Sequence, residues 1–227
     1  MSETIIQVKN VKRTFNVGEI EVHALRGVDL EILKGQFVVI LGASGSGKTT
    51  LLNQLGGIDS PSEGAVIVDG EDITHYNEKA LTQYRKSKVG WIFQFHNLIP
   101  SLSATENVML ALEMMGEKKN QKERSQEALR EVGLGDELDR FPAQLSGGQQ
   151  QRVAIARALV KRPSIIVGDE ITGNLDSTTG KQVVDLMKKI CAKENITFVV
   201  VTHDASMKEV ADKVFNMKDG VLVQEMK

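Results

Sequence analysis

Cysteine, tryptophan, proline and aromatic side chains are all scarce in this sequence. Among 227 residues there are one cysteine, one tryptophan and four prolines, and aromatics make up 4%. A lone thiol, Cys191, excludes an internal disulfide framework and a cysteine-built metal cluster. It falls in an apolar helical stripe with Val183, Met187 and Ile190, the setting of a small buried hydrophobe. Charge of one sign is lacking too: 28 Lys plus Arg stand against 30 Asp plus Glu, a net charge of -2, so no global basic field marks nucleic acid as a partner. No apolar run approaches the ~20 residues needed to cross a bilayer. The start, Met1-Ser2-Glu3-Thr4, lacks the basic-then-apolar layout of a secretion leader. These absences lead to the expectation of a soluble, cytoplasmic chain with no nucleic-acid partner. The hydrophobic share of 41% can furnish one sizeable core, and residues 1–227 read as a single domain.

What is present, above all, is a phosphate-binding pattern. The apolar run Phe37-Val38-Val39-Ile40-Leu41 leads straight into Gly42-Ala43-Ser44-Gly45-Ser46-Gly47-Lys48-Thr49-Thr50. This reads as strand, glycine loop, helix. A buried strand delivers a turn whose backbone N–H groups can point inward, and the helix adds the positive end of its dipole. Gly42, Gly45 and Gly47 allow close approach, Lys48 reaches the β and γ phosphates as a point charge, and Thr49 offers a hydroxyl to Mg²⁺. The candidate nucleotide cradle is therefore Gly42, Ser44, Gly45, Ser46, Gly47, Lys48, Thr49 and Thr50.

Around this loop the chain alternates strands and helices. Ile5–Val8 and Val28–Ile32 have strand periodicity and should pair as an antiparallel flank, with a loop containing Gly18 between them. Phe15 precedes that loop, either as a core residue or as an aromatic available to a base. From Ser103 the period becomes helical, with a capping box from Ser103 to Glu106, and residues from about Phe95 to Arg152 form a helical insertion. Within it lies Leu145-Ser146-Gly147-Gly148-Gln149, where Ser146 and Gln149 again fit a helix cap. The strand Ile165–Val167 ends on Asp169-Glu170, and the strand Ile196–Val201 ends on Thr202-His203-Asp204. Adjacent acids at a strand end reach one site only if the chain bends there. They can then divide the labour: Asp169 holds Mg²⁺, and Glu170 orients and polarises the attacking water. His203, taken alone, has an ordinary structural explanation as well as a phosphate-contacting one.

Together these residues resemble an ATP-binding cassette (ABC) ATPase over essentially the whole chain. GASGSGKT matches Walker A, Gln94 the Q-loop, Leu145–Gln149 the LSGGQ signature, Ile165–Glu170 Walker B, Gly173–Asp176 the D-loop and His203 the switch histidine. The resemblance implies an α/β P-loop NTPase with a RecA-like core, an antiparallel β flank and a helical subdomain bearing the signature. It implies ATP and Mg²⁺ as cofactors, with Lys48, Glu170 and His203 catalytic. Thr49, Gln94 and Asp169 would serve the metal, and Phe15 would stack on adenine. It also implies a head-to-tail homodimer, each ATP lying between Walker A of one subunit and Ser146, Gly147, Gly148 and Gln149 of the other.

Two positions depart from the family pattern. Ile171 stands where proline is usual, and Val167-Gly168 replaces the commoner Leu-Ala. Proline would restrict Glu170 to extended geometry, so its absence implies a base less firmly preset. The segments Phe93–Val108 and Phe141–Leu159 are most similar to the MacB, LolD and BceA group. That resemblance implies a separate membrane permease with a large extracytoplasmic domain, engaged in export, lipoprotein release or antibiotic-peptide resistance. The ATPase would then sit peripherally on the inner face of the cell membrane. An FtsE-type regulatory ATPase, acting on a membrane complex without transport, is the alternative. The expected permease contact is the apolar stretch Phe95, Leu98, Ile99 and Leu102 next to Gln94.

Overall fold

The computed structural model describes residues 3–225. The first half of the chain forms β1 (Thr4–Val17), β2 (Ile20–Leu33), β3 (Phe37–Leu41), α1 (Lys48–Leu55), β4 (Glu63–Val68), β5 (Glu71–Asp72), α2 (Glu78–Ser87) and β6 (Val89–Ile92). The second forms α3 (Ala104–Met115), α4 (Gln121–Glu131), α5 (Gly147–Leu159), β7 (Ile165–Asp169), α6 (Ser177–Glu194), β8 (Thr197–Thr202), β9 (Lys213–Lys218) and β10 (Val221–Glu225).

β1 and β2 make one long antiparallel hairpin of 14 residues on each side. The loop expected around Gly18 is only its turn, so Phe15 lies within β1, opposite Val22. Register shifts between Val8 and Val11 and between Arg13 and Thr14 explain why the sequence hid this. Each bulge resets the inward-outward alternation, and a strict period of two fades across it. β4 pairs on the other edge of β1, giving a flank sheet in the order β2-β1-β4-β5.

The central sheet has the order β10-β9-β3-β8-β7-β6, parallel throughout except for the edge strand β10. All of β3 and all of β8 are buried, as strands covered on both faces must be. Alternation divides their side chains between two cores. Phe37, Val39, Phe198 and Val200 face the side built with α3 to α6, where Cys191 is also buried as expected. Val38, Ile40, Val199 and Val201 face α1 and the flank sheet.

The helices α3, α4 and α5 pack together on one side. Both expected capping boxes are present, at Ser103–Glu106 and Ser146–Gln149. α5 runs unbroken through residue 152, so the expected boundary of the insertion falls inside a helix. The apolar stretch before α3 is divided: Phe95 is 72% and Ile99 38% exposed, as an expected partner contact requires, while Leu98 and Leu102 are half-buried. Leu98 packs against the core, and the stretch is fastened from within by Asn107, which is 0% exposed. The Asn107 side-chain oxygen accepts from the Ile99 N–H at 2.7 Å, and its amide donates to the carbonyls of Ile99, Leu102 and Ser103 at 3.1, 2.9 and 3.0 Å. Asn107→Ala strips these partners from buried backbone groups and should lower unfolding free energy by about 2–3 kcal/mol. Urea denaturation measures this, and a change below about 0.5 kcal/mol would show that the fastening is dispensable.

Candidate active site

The phosphate loop begins where β3 ends, and its glycines are fixed by their surroundings. Gly47 caps α1 at φ 105°, a region side chains avoid, and a Cβ there would lie 2.6 Å from the Ala24 carbonyl oxygen. A Cβ on Gly42 would collide with the Met217 carbonyl. Lys48 is 7% exposed, and its ammonium donates to the carbonyls of Gly42 at 2.8 Å and Ala43 at 2.9 Å. A lysine has three donors, so one is left over for a phosphate. The buried Ser46 hydroxyl has no hydrogen-bond partner among the described residues. A buried polar atom inside an amide-lined loop fits an anionic ligand.

Alternation along β7 aims its acids. Ile165 and Val167 face the α1 side, so Asp169 faces that side as well. There the Thr49 hydroxyl donates to Asp169 Oδ2 at 3.1 Å. These hard oxygen donors suit Mg²⁺, which keeps several waters and takes few protein ligands. Burial pushes the Asp169 carboxyl above its ordinary pKa, Glu170 adds to this, and the Thr49 hydrogen bond and the Lys48 charge oppose it. A bound dication would reverse that balance.

Glu170 would point to the opposite face but for the bend, and its φ of 45° is that bend. Its carboxylate accepts from the Thr202 hydroxyl at 2.8 Å, and one oxygen lies 2.9 Å from His203 Nδ1. The Glu170 carboxylate is thus tethered on both oxygens, a firmer setting than the missing proline implied.

A cavity of about 1110 Å³ opens over these groups. Ser44, Gly45, Gly47, Lys48, Thr49 and Thr50 line it from the loop; Gln94, Asp169, Glu170 and His203 line it from the other strand ends. Gly42 and Ser46 belong to the same loop without lining the cavity. Phe15 does not line it either: its cross-strand partner Val22 does, and the Arg13 guanidinium lies 4.5 Å from the Phe15 ring centroid. The cavity also takes in Glu21, His23, Ala24 and Arg26 from β2, and Asp219 and Gly220 from the β9–β10 turn. The sequence reading missed these, although extending the hairpin past its bulges would have brought β2 into view.

Ser146, Gly147, Gly148 and Gln149 lie outside this cavity. The Ser146 hydroxyl caps α5 at the Gln149 N–H, and Gly148 packs so closely on Thr179 that a Cβ would not fit. Within one chain, then, the glycine loop and the Ser146–Gln149 segment stand apart.

A second concavity, of about 550 Å³, lies beyond Gln94. Trp91 and Phe93, stacked at 5.3 Å, line it with Leu110, Met114 and Met115, and Met114 is 60% exposed. Arg85, Lys86, Arg157 and Lys161 also line it, and no acid does. Burial, then the Arg157 charge, pulls Lys161 down to about 8.

Residues 25–173 match the family model of the ABC transporter. The chain belongs to the ABC transporter ATP-binding family. It is 47% identical over 223 residues to the lipoprotein-releasing system ATP-binding protein LolD of Aquifex aeolicus, covering 98% of this chain and 97% of that one. It is 43% identical over 224 residues to the macrolide export ATP-binding/permease protein MacB of Syntrophobacter fumaroxidans, covering 97% of this chain but spanning only 31% of MacB. The fold matches the dimeric post-hydrolysis structure of the ATP-binding cassette MJ0796 bound to ADP and Pi, with TM-score 0.89, 41% identity, and 97% and 98% of the two chains covered. The cassette is thus a P-loop NTPase that binds ATP and hydrolyses it, of the LolD and MacB type. No helix among the described residues is long and apolar enough to cross a membrane.

Phe15 sits beside the cavity on the strand next to Val22, one ring face backed by Arg13. Phe15→Ala should weaken ATP binding by about 1 kcal/mol, a typical stacking term, and Phe15→Tyr should change it little. Calorimetric titration decides: unchanged affinity in the alanine variant would leave base recognition to β2.

Proposed function

We propose that this cassette is the ATP-hydrolysing subunit of an ABC transporter, working as a homodimer around two ATP and driving a separate MacB-type permease with a large extracytoplasmic domain. Residues 1–227 act as one ABC ATPase domain with a helical subdomain over about 95–152. The cassette sits on the inner face of the cell membrane through its permease, and the permease sets whether the work is export, lipoprotein release or antibiotic-peptide resistance. The observation that carries the reading is the convergence of Lys48, Thr49, Gln94, Asp169, Glu170 and His203 on one cavity.

Lys48 binds the β and γ phosphates, and the loop amides together with the hydroxyls of Ser44, Ser46 and Thr50 complete the cradle. Thr49, Gln94 and Asp169 would hold Mg²⁺, which would supply neutralisation of the phosphate charge when bound. Glu170 orients the attacking water and draws off its proton, and His203 steadies Glu170 and contacts the γ phosphate. Ser146, Gly147, Gly148 and Gln149 of the second copy close over the γ phosphate with the N-terminus of α5. The signature's separation from its own chain's cavity supports this division of labour.

The apolar groove beyond Gln94 is the docking site for a permease helix, with its floor at Trp91, Phe93 and Met114. The exposed Phe95 and Ile99 of the stretch after Gln94 belong to the same expected contact, while Leu98 is half-buried against the core. Arg85 pairs with Glu78 at 3.7 Å, but no described acid lines the groove itself, and this favours a docking segment that carries a carboxylate.

Glu170→Gln should keep ATP binding, slow hydrolysis by at least ~10²-fold, and elute as a dimer with MgATP in size-exclusion chromatography. A persistently monomeric variant counts against the shared site. Met114→Glu should leave ATP binding intact and abolish co-purification of the membrane permease; co-purification in full yield would place docking elsewhere.

A further inference from the structure

The two departures from the family pattern at the end of β7 touch each other. Gly168 is buried between Ile92 of β6 and Val200 of β8. A Cβ built on Gly168 would lie 2.7 Å from Ile171 Cγ2, closer than carbons pack, and 3.6 Å from Val200 Cγ2, an ordinary contact. Ile171 is 2% exposed and belongs to the same core as Ile166, Phe198 and Val200. Its γ-methyl therefore fills the notch that the missing side chain leaves.

Glu170 lies in the turn that joins these two residues. At φ 45° it holds a conformation that a glutamate does not prefer and that persists only where its surroundings impose it. In front, its carboxylate is tied to Thr202 and His203. On the main chain, its N–H donates to the Val201 carbonyl at 3.0 Å and its carbonyl accepts from the Gly173 N–H at 3.0 Å. Behind, the next residue is wedged into the sheet at Gly168. The wedge is stiff, because Cγ2 is bonded directly to Cβ and a β-branched side chain has few χ1 options. Displacing that methyl must move the Ile171 backbone, and with it the Glu170 peptide.

We propose that the Gly168–Ile171 contact is a positioning lock that sets the Glu170 turn for catalysis. The inference rests on reading Glu170 as the water-orienting base. Neither Gly168 nor Ile171 lines the nucleotide cavity, so the lock acts through Glu170 alone. Gly168 has no left-handed φ, so alanine brings no backbone strain there and its effect is purely a matter of space. Glycine at 168 and isoleucine at 171 form a matched pair, in which neither residue is freely exchangeable without the other.

The test uses the full chain and compares the parent with Gly168→Ala, Ile171→Leu, the double variant and Glu170→Gln in MgATP hydrolysis and ATP titration. Gly168→Ala should lower kcat at least about tenfold with KM and Kd for ATP within about twofold, the pattern of a displaced catalytic group. Ile171→Leu keeps the volume but moves the branch off Cβ, so the double variant should recover kcat to within about threefold of the parent. If Gly168→Ala does not accumulate as folded protein, Ile171→Leu decides: a fall in kcat at constant KM supports the lock, and an unchanged kcat overturns it. An unchanged kcat in Gly168→Ala, or parallel losses of kcat, ATP affinity and thermal stability that the double variant does not restore, also overturns it. Persisting hydrolysis in Glu170→Gln would overturn the base assignment itself, and the lock with it. Loss in Glu170→Gln with normal Gly168→Ala would sink the lock alone.

Discussion

The ladder that joins β3, β8 and β7 is the constraint on which the site depends. In that ladder Leu41 lies opposite Thr202, and Val201 opposite Asp169, so the three strands end at one level. The phosphate loop, His203 and the acid pair then emerge side by side, at the carboxyl edge where open parallel sheets bind ligands. A slip of one residue would exchange the faces of every side chain on the displaced strand. Asp169 would lose Thr49, and the apolar residues of β7 would leave their cores. The large buried interior therefore does double duty: the same Val and Ile side chains that stabilise the sheet fix the alignment of the polar groups at its end.

How far the sequence disclosed this varies with the kind of information each feature needs. The glycine loop was legible because its chemistry is local: strand, turn and helix follow one another, and each demands particular residue types. Asp169 and Glu170 were legible as a pair, but the bend that separates their roles is a matter of φ at one residue and leaves no period to read. The two capping boxes were equally local and appear as read. The length of the β1–β2 hairpin was not legible, because its bulges interrupt the alternation that reveals strands. As a result Phe15 was placed beside a loop, and the β2 residues that line the cavity went unseen. The fastening of the backbone at Ile99, Leu102 and Ser103 was hidden for another reason. It depends on Asn107, whose burial no pattern of apolar residues announces.

Isolated substitutions can also mislead when they are compared with a family pattern one position at a time. Ile171 without proline reads as a loss of rigidity, and Gly168 without a side chain reads as a second loss. In space they are complementary, since the methyl supplied by one occupies the gap left by the other. Rigidity at Glu170 then comes from packing behind the turn and hydrogen bonds before it, instead of from a ring that fixes φ at the following residue. The same lesson applies to the signature, whose serine is already engaged as a helix cap. The missing side chain at Gly148 has a separate local cause, since a Cβ there would collide with Thr179.

Gln94 joins the two concavities of the molecule. Phe93 lines the apolar groove and Gln94, the next residue, lines the nucleotide cavity. The Gln94 carbonyl accepts from the Asn174 side chain at 2.9 Å, which ties the same short segment to the turn after Glu170. Under the proposed docking, a change in what Gln94 meets when nucleotide enters or phosphate leaves would be transmitted one residue along the backbone to the floor of the groove. Such a link does work only if the groove's occupant binds the two positions of Phe93 with different affinity, because an occupant indifferent to them shifts no equilibrium. A rigid, well-filled contact meets that condition better than a loose one, since close packing makes small displacements costly. The stacked pair Trp91 and Phe93 would supply such a floor, joined to the cavity by a single peptide unit, where a long flexible loop would absorb the motion.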